Sequence, residues 1–115
     1  MAISKAKKDS ATSKPSKLYM VVEHYKDVEA VYHRLLEHGR MMPEGLEFVS
    51  AWFDENFQLS YRLMQTHDQW LIYRWMENWK DLVNFELCPV LTPEEAREKL
   101  GTRILERKAR DQRVT

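Results

Sequence analysis

The run Leu18-Tyr-Met-Val-Val-Glu-His-Tyr25 constrains the fold more than any other stretch of the chain. Six of its eight residues are apolar or aromatic, two of them adjacent β-branched valines. A Ser/Lys/Pro segment precedes it and Lys26-Asp27 follows it. A short apolar run of this kind, closed at both ends by polar residues, reads as a strand buried on both faces. The rest of the chain has to be laid against it.

A helix follows. Asp27 is suited to cap it, Glu29 falls in its first turn, and Val28, Val31, Tyr32 and Leu35 recur on one helical face. Gly39 is the natural left-handed stop, and Arg40-Met-Met-Pro-Glu-Gly45, with both Pro and Gly, must be a loop. Leu46–Phe53 and Phe57–Gln65 are two strand-like runs joined by Asp54-Glu55-Asn56, a hairpin pattern. In the second run Phe57, Leu59, Tyr61 and Leu63 form one fully apolar side, and Gln58, Ser60, Arg62 and Met64 a mixed one. A second helix opens at Asp68 and carries Leu71, Ile72, Trp75, Met76 and Trp79 on a broad apolar stripe; Lys80-Asp81 ends it. Leu82–Val90 is a fourth strand, whose Pro89 suits a sheet edge or exit. Thr92-Pro-Glu-Glu95 is a capping box with Pro at the first helical position. The helix it opens has a narrow stripe of Ala96, Leu100 and Ile104, so it should pack lightly and fray beyond about Arg107.

Strand, helix, strand, strand, helix, strand is the split βαβ order of an α+β, ferredoxin-like fold. Two helices cover one face of an antiparallel four-stranded sheet, with the first and third strands central, and here a C-terminal helix is added. The helices shield only one side. The other carries Met20, Val22, Trp52 or Phe53, Met64 and Cys88, too much apolar surface to leave in water. A second copy of the chain is the simplest cover, so a homodimer is expected.

Charge divides the chain into three parts, 1–17, 18–91 and 92–115. Residues 1–17 hold five Lys against one Asp, with too little apolar surface to offset the entropy of ordering, and read as a disordered basic arm. Residues 18–91, the folded domain, hold six basic against twelve acidic side chains, and the extension at 92–115 seven against five. An acidic body repels phosphate backbones, which argues against nucleic acid as a partner. No run approaches the roughly 20 apolar residues of a membrane span. The single cysteine, Cys88, excludes an internal disulfide and fits a reducing, cytoplasmic setting, and without a basic neighbour in sequence it reads as an inert buried thiol.

Several of these segments resemble a known family. Leu18–Tyr25, Gly39-Arg-Met-Met-Pro-Glu-Gly-Leu46, Ser50-Ala-Trp52, Phe57-Gln58 and Trp79-Lys-Asp-Leu-Val-Asn-Phe-Glu86 with Pro89-Val90 are similar to the short prokaryotic domain of unknown function numbered 3303. The resemblance covers about residues 18–91. It implies a dimeric α+β barrel, in which two ferredoxin-like sheets close on one another, and it implies no established activity.

Candidate chemistry is sparse. If Gln58, Ser60, Arg62, Asn84 and Glu86 face the barrel lumen, His24 at the end of the central strand can join them. With Trp52 such a group could bind a small aromatic or carboxylate-bearing molecule, His24 acting as a general base. The competing reading makes Arg62 and Glu86 a structural ion pair and the protein a scaffold whose open face only dimerises. A one-residue slip in strand register would move His24 out of the group and bring Glu23 in. His24, His33, His38 and His67 lack metal-ligand spacing, and no phosphate loop, nucleophile elbow or dinucleotide fingerprint occurs, so no cofactor is expected.

Overall fold

The computed structural model describes residues 15–114, so the expected basic arm lies almost wholly outside the described residues. Strands β1 (Lys17–Tyr25), β2 (Glu47–Phe53), β3 (Leu59–Thr66) and β4 (Val83–Val90) form one antiparallel sheet in the order β2-β3-β1-β4. Helices α1 (Val28–His38) and α2 (Trp70–Glu77) form the two crossovers, and α3 (Pro93–Val114) follows β4. The ferredoxin-like α+β arrangement expected from the element order is the one observed.

Cross-strand partners share a face of a sheet, so the pairing register assigns every strand residue to a side. Tyr19, Val21, Glu23 and Tyr25 of β1 lie on the helix-covered side with Ser60, Arg62, Met64 and Thr66 of β3 and Val83, Phe85 and Leu87 of β4. Met20, Val22 and His24 lie on the open side with Leu59, Tyr61 and Leu63 and with Asn84, Glu86 and Cys88. Three expectations change as a result. The mixed side of β3, not the apolar one, faces the helices, and Met64 belongs to the core at 0% exposure. β1 is fully shielded on one face only. Cys88 is exposed on the open side rather than buried.

In β2 a register shift between Phe48 and Ser50 leaves Val49 as an extra residue. Beyond that bulge, Trp52 stands opposite Tyr61 on the open side and Phe53 opposite Ser60 on the covered side. The hairpin turn is longer than the expected three residues, running from Asp54 to Gln58. Asp54 Oδ1 accepts from the Gln58 and Leu59 N–H groups at 2.8 and 2.9 Å, and Phe57 turns the chain at φ 58°.

The core is built by α2. Ile72, Trp75 and Met76 are buried with Trp79 against Tyr19, Val21, Met64 and Val83, and the Trp75 and Phe85 rings lie 5.4 Å apart. Gly45, at φ 94°, lets the preceding loop come close to α2, where an added Cβ would meet Leu71 Cδ1 at 2.9 Å. By contrast α1, capped as expected by Asp27 Oδ1 on the Ala30 N–H at 3.1 Å, has no buried residue. Its attachment is a clasp of Arg34 on Asp81, two hydrogen bonds of 2.7 Å, with a third of 2.9 Å to the Asn78 carbonyl. That pair holds the Asp81 carboxyl down at about 2.

The capping box forms reciprocally: Thr92 N–H donates to Glu95 Oε1 at 2.9 Å and Glu95 N–H to Thr92 Oγ1 at 3.1 Å. The helix it starts continues past Arg107 to Val114, and from Pro93 to Gln112 every residue except Gly101 is exposed. Among the described residues no helix is long and apolar enough to cross a membrane.

Met64→Ala should lower unfolding free energy by about 2–5 kcal/mol, the range for deleting a fully buried long side chain. Leu36→Ala, on the outer face of α1, should change it by no more than about 0.5 kcal/mol. Urea denaturation midpoints measure both, and equal effects would contradict the inward orientation of Met64.

Candidate functional site

A cavity of about 100 Å³ lies beneath α1, between its apolar face and the sheet. Val28, Val31, Tyr32 and Leu35, the helical face legible in the sequence, line it from above; Val31 also packs against the core, whereas Tyr32 stays 58% exposed. Trp75, Trp79 and Val83 form one wall, Phe53 and Met42 another. Phe53 also stacks near Tyr25, ring centroids 6.3 Å apart. A neighbouring open groove shares Val28, Tyr32 and Phe53 with the cavity and extends along the hairpin to Phe57.

The floor is polar. Glu23, at 5% exposure, projects from the middle of β1. Its Oε1 accepts from Ser60 Oγ at 2.8 Å, from the Tyr25 hydroxyl at 2.8 Å and from Arg62 Nη2 at 3.3 Å. Ser60 stands directly across from Glu23, and Arg62 is the diagonal neighbour two residues on, so the register itself assembles the cluster. Tyr25 also lies 2.9 Å from Ser60 Oγ. Arg62 Nε is buried and has no partner among the described residues. An unmet buried donor costs about 1–3 kcal/mol, more for a charged group.

The mouth is set by the loop after α1. The Arg40 carbonyl accepts from both buried indoles, Trp75 Nε1 at 3.1 Å and Trp79 Nε1 at 3.2 Å, and Asn78 Nδ2 donates to the Met41 carbonyl at 3.1 Å. Met41 takes up φ 56°, an uncommon conformation for a residue with a side chain. These bonds fix the backbone from which the Arg40 side chain reaches the cavity. Its guanidinium carbon lies 4.0 Å from the Phe48 ring centroid, and that of Arg62 lies 5.5 Å from the same centroid.

The expected site residues are thus divided. Arg62 lines the cavity. His24 and Glu86 lie on the open side, where His24 Nε2 is 3.2 Å from Glu86 Oε2, so Glu86 does not meet Arg62. Trp52 is on that open side too, and Gln58 is exposed in the hairpin turn. The pleat separates them: consecutive residues of β1 point to opposite faces, and Glu23 rather than His24 joins Arg62. The sequence raised Glu23 only as the outcome of a one-residue register slip, and gave Tyr25 and Arg40 no role. Glu23 could have been singled out as a lone acid inside an apolar run, with Arg62 as its counterpart in the neighbouring strand. Arg40 gave no such sign, because its place depends on two tryptophans far along the chain.

A match over residues 17–104 to the model of a domain of unknown function, DUF3303, decides the family. The chain belongs to the DUF3303 family. The DUF3303 unit takes in the whole sheet, both packed helices and the first half of α3, so every residue of the cavity lies inside it. No curated protein and no solved structure matches the chain.

Burial, and after it the Glu23 carboxylate, pushes the Tyr25 phenol up to about 12 from its ordinary value of 10. The fold therefore holds this proton more tightly than the unfolded chain does. The stability tied to it is complete below pH 10 and is lost as pH rises towards 12. The loss should be no more than about 2 kcal/mol, given partial solvent screening. Denaturation midpoints between pH 10 and 12 should fall less steeply in Tyr25→Phe than in the native protein, and parallel curves would refute the assignment.

Proposed function

We propose that this DUF3303 protein is a homodimeric α+β barrel that binds a small aromatic or carboxylate-bearing molecule. The ligand occupies the cavity beneath α1 rather than the space between two sheets. The observation that carries this reading is α1 itself: a capped helix whose apolar face overhangs a cavity with a hydrogen-bonding floor. An amphipathic helix is stabilised chiefly by burying its apolar face, and here a ligand would supply what the sheet does not. Apolar walls around a few convergent polar groups are the usual composition of a small-molecule site.

Dimerisation accounts for the other side of the sheet. Met20, Val22, Leu59, Tyr61 and Trp52 make an open apolar surface with no covering element among the described residues, and a symmetric partner presenting the same surface would bury it. In this reading His24 and Glu86 belong to the dimer face and not to the ligand site.

Two measurements test the two halves separately. A thermal-shift screen of small aromatic compounds, neutral and charged, should raise the melting temperature of the native protein with at least one of them. Val31→Trp, which fills the space under α1, should remove that response. No stabilisation by any compound would leave the sheet face to serve dimerisation alone. Sedimentation at micromolar concentration should show a dimer, and Tyr61→Lys a folded protomer. A native protein that sediments as a single protomer would refute the barrel.

A further inference from the structure

We propose that the cavity selects an aromatic monocarboxylate, its carboxylate taking hydrogen bonds from the Arg62 and Arg40 guanidiniums while its ring lies against Tyr32 and Trp79. The proposal rests on the reading of this cavity as a ligand site and narrows the ligand to one chemical class.

Charge is the first ground. Two guanidiniums and one carboxylate line the cavity. Glu23 is already engaged by Arg62, Ser60 and Tyr25, whereas Arg40 makes no ion pair among the described residues. The lining therefore carries one positive charge in excess, which matches a monoanion and not a dianion or a cation.

Geometry is the second. The guanidinium carbons of Arg40 and Arg62 lie 4.0 and 5.5 Å from the Phe48 ring centroid, and both residues line the cavity. Arg62 gives Glu23 one hydrogen bond, from Nη2. Arg40 is held by its own carbonyl, which the two indole N–H groups fix in place. A carboxylate needs donors of this planar, forked kind, and prepositioning them lowers the entropic cost of binding.

Shape is the third. About 100 Å³ is on the scale of one small ring at most, an apolar cavity of roughly 150 Å³ being one that binds benzene. Walls of Tyr32, Val31, Leu35 and Trp79 would leave an inorganic anion against hydrocarbon. They suit a ring.

Calorimetric titration of the full chain with benzoate, 4-hydroxybenzoate and phenylacetate, each paired with its carboxamide, tests the proposal. At least one acid should bind tenfold or more tighter than its amide, on the scale of a charge-assisted hydrogen bond. Arg40→Gln should weaken that acid roughly tenfold and leave the amide unchanged. Arg62→Lys, which keeps a cation beside Glu23 but removes the forked guanidinium, should weaken it as well, with an unaltered circular dichroism spectrum. Amides binding as tightly as acids, or an Arg40→Gln protein that retains full affinity for the acid, would overturn the carboxylate assignment and leave the ligand site standing. Inorganic phosphate binding as tightly as the acids would overturn the aromatic part. Binding of neither acids nor amides would overturn the ligand site along with it.

Discussion

A carboxylate cannot be taken out of water in the middle of a strand without partners, and Glu23 determines much of the rest of this fold. Its partners come from the neighbouring strand, Ser60 directly across and Arg62 on the diagonal, and both must point to the side that Glu23 points to. That requirement turns the mixed side of β3 inward and its apolar side outward. Replacing a buried ion pair with well-packed apolar side chains is often neutral or stabilising, so packing alone does not account for a charged cluster at this position. A polar floor under a cavity does.

The two helices divide the work unequally. α2 supplies Ile72, Trp75 and Met76 to the core and, through the indole N–H groups of Trp75 and Trp79, also fixes the Arg40 backbone. α1 supplies no fully buried residue and is attached by Val31 against the core and by the Arg34–Asp81 clasp. Attachment at chosen points leaves the rest of the apolar side of α1 free to lie above a space instead of filling it. Packing from the rest of the domain is what allows one amphipathic helix to remain underburied.

Most of the architecture was legible in the sequence because its signals are local. Asp27 as a cap, the loop at Arg40–Gly45, the two tryptophans of α2 and the Thr92–Glu95 box each announce an element boundary or face within a few residues. The orientation of the sheet was not legible, for a physical reason. Both sides of β1 are largely apolar, and in β3 the mixed side rather than the apolar one faces the helices, so alternation alone does not say which is inside. His24, Glu86 and Trp52 lie on the open side, where the expected lumen was, while Arg62 turns to the covered side and meets Glu23. α3 is a different case: its charged residues read as a fraying tail, and the helix continues to Val114 without packing support.

Apolar walls and a polar floor contribute differently to choice among ligands. A missing methylene against Tyr32 or Leu35 is worth only about 1–3 kcal/mol, so the walls admit many small rings with modest preference. A guanidinium is less permissive: in the proposed complex a ligand without an acceptor would leave its N–H groups against apolar walls in place of water. Glu23 sharpens the effect. Its negative charge already balances Arg62, so the proposed anion would gain chiefly from Arg40 and would have to be oriented away from the carboxylate. Orientation, more than affinity, is then what the floor would impose: the charged end towards the two arginines, the ring towards the overhanging helix.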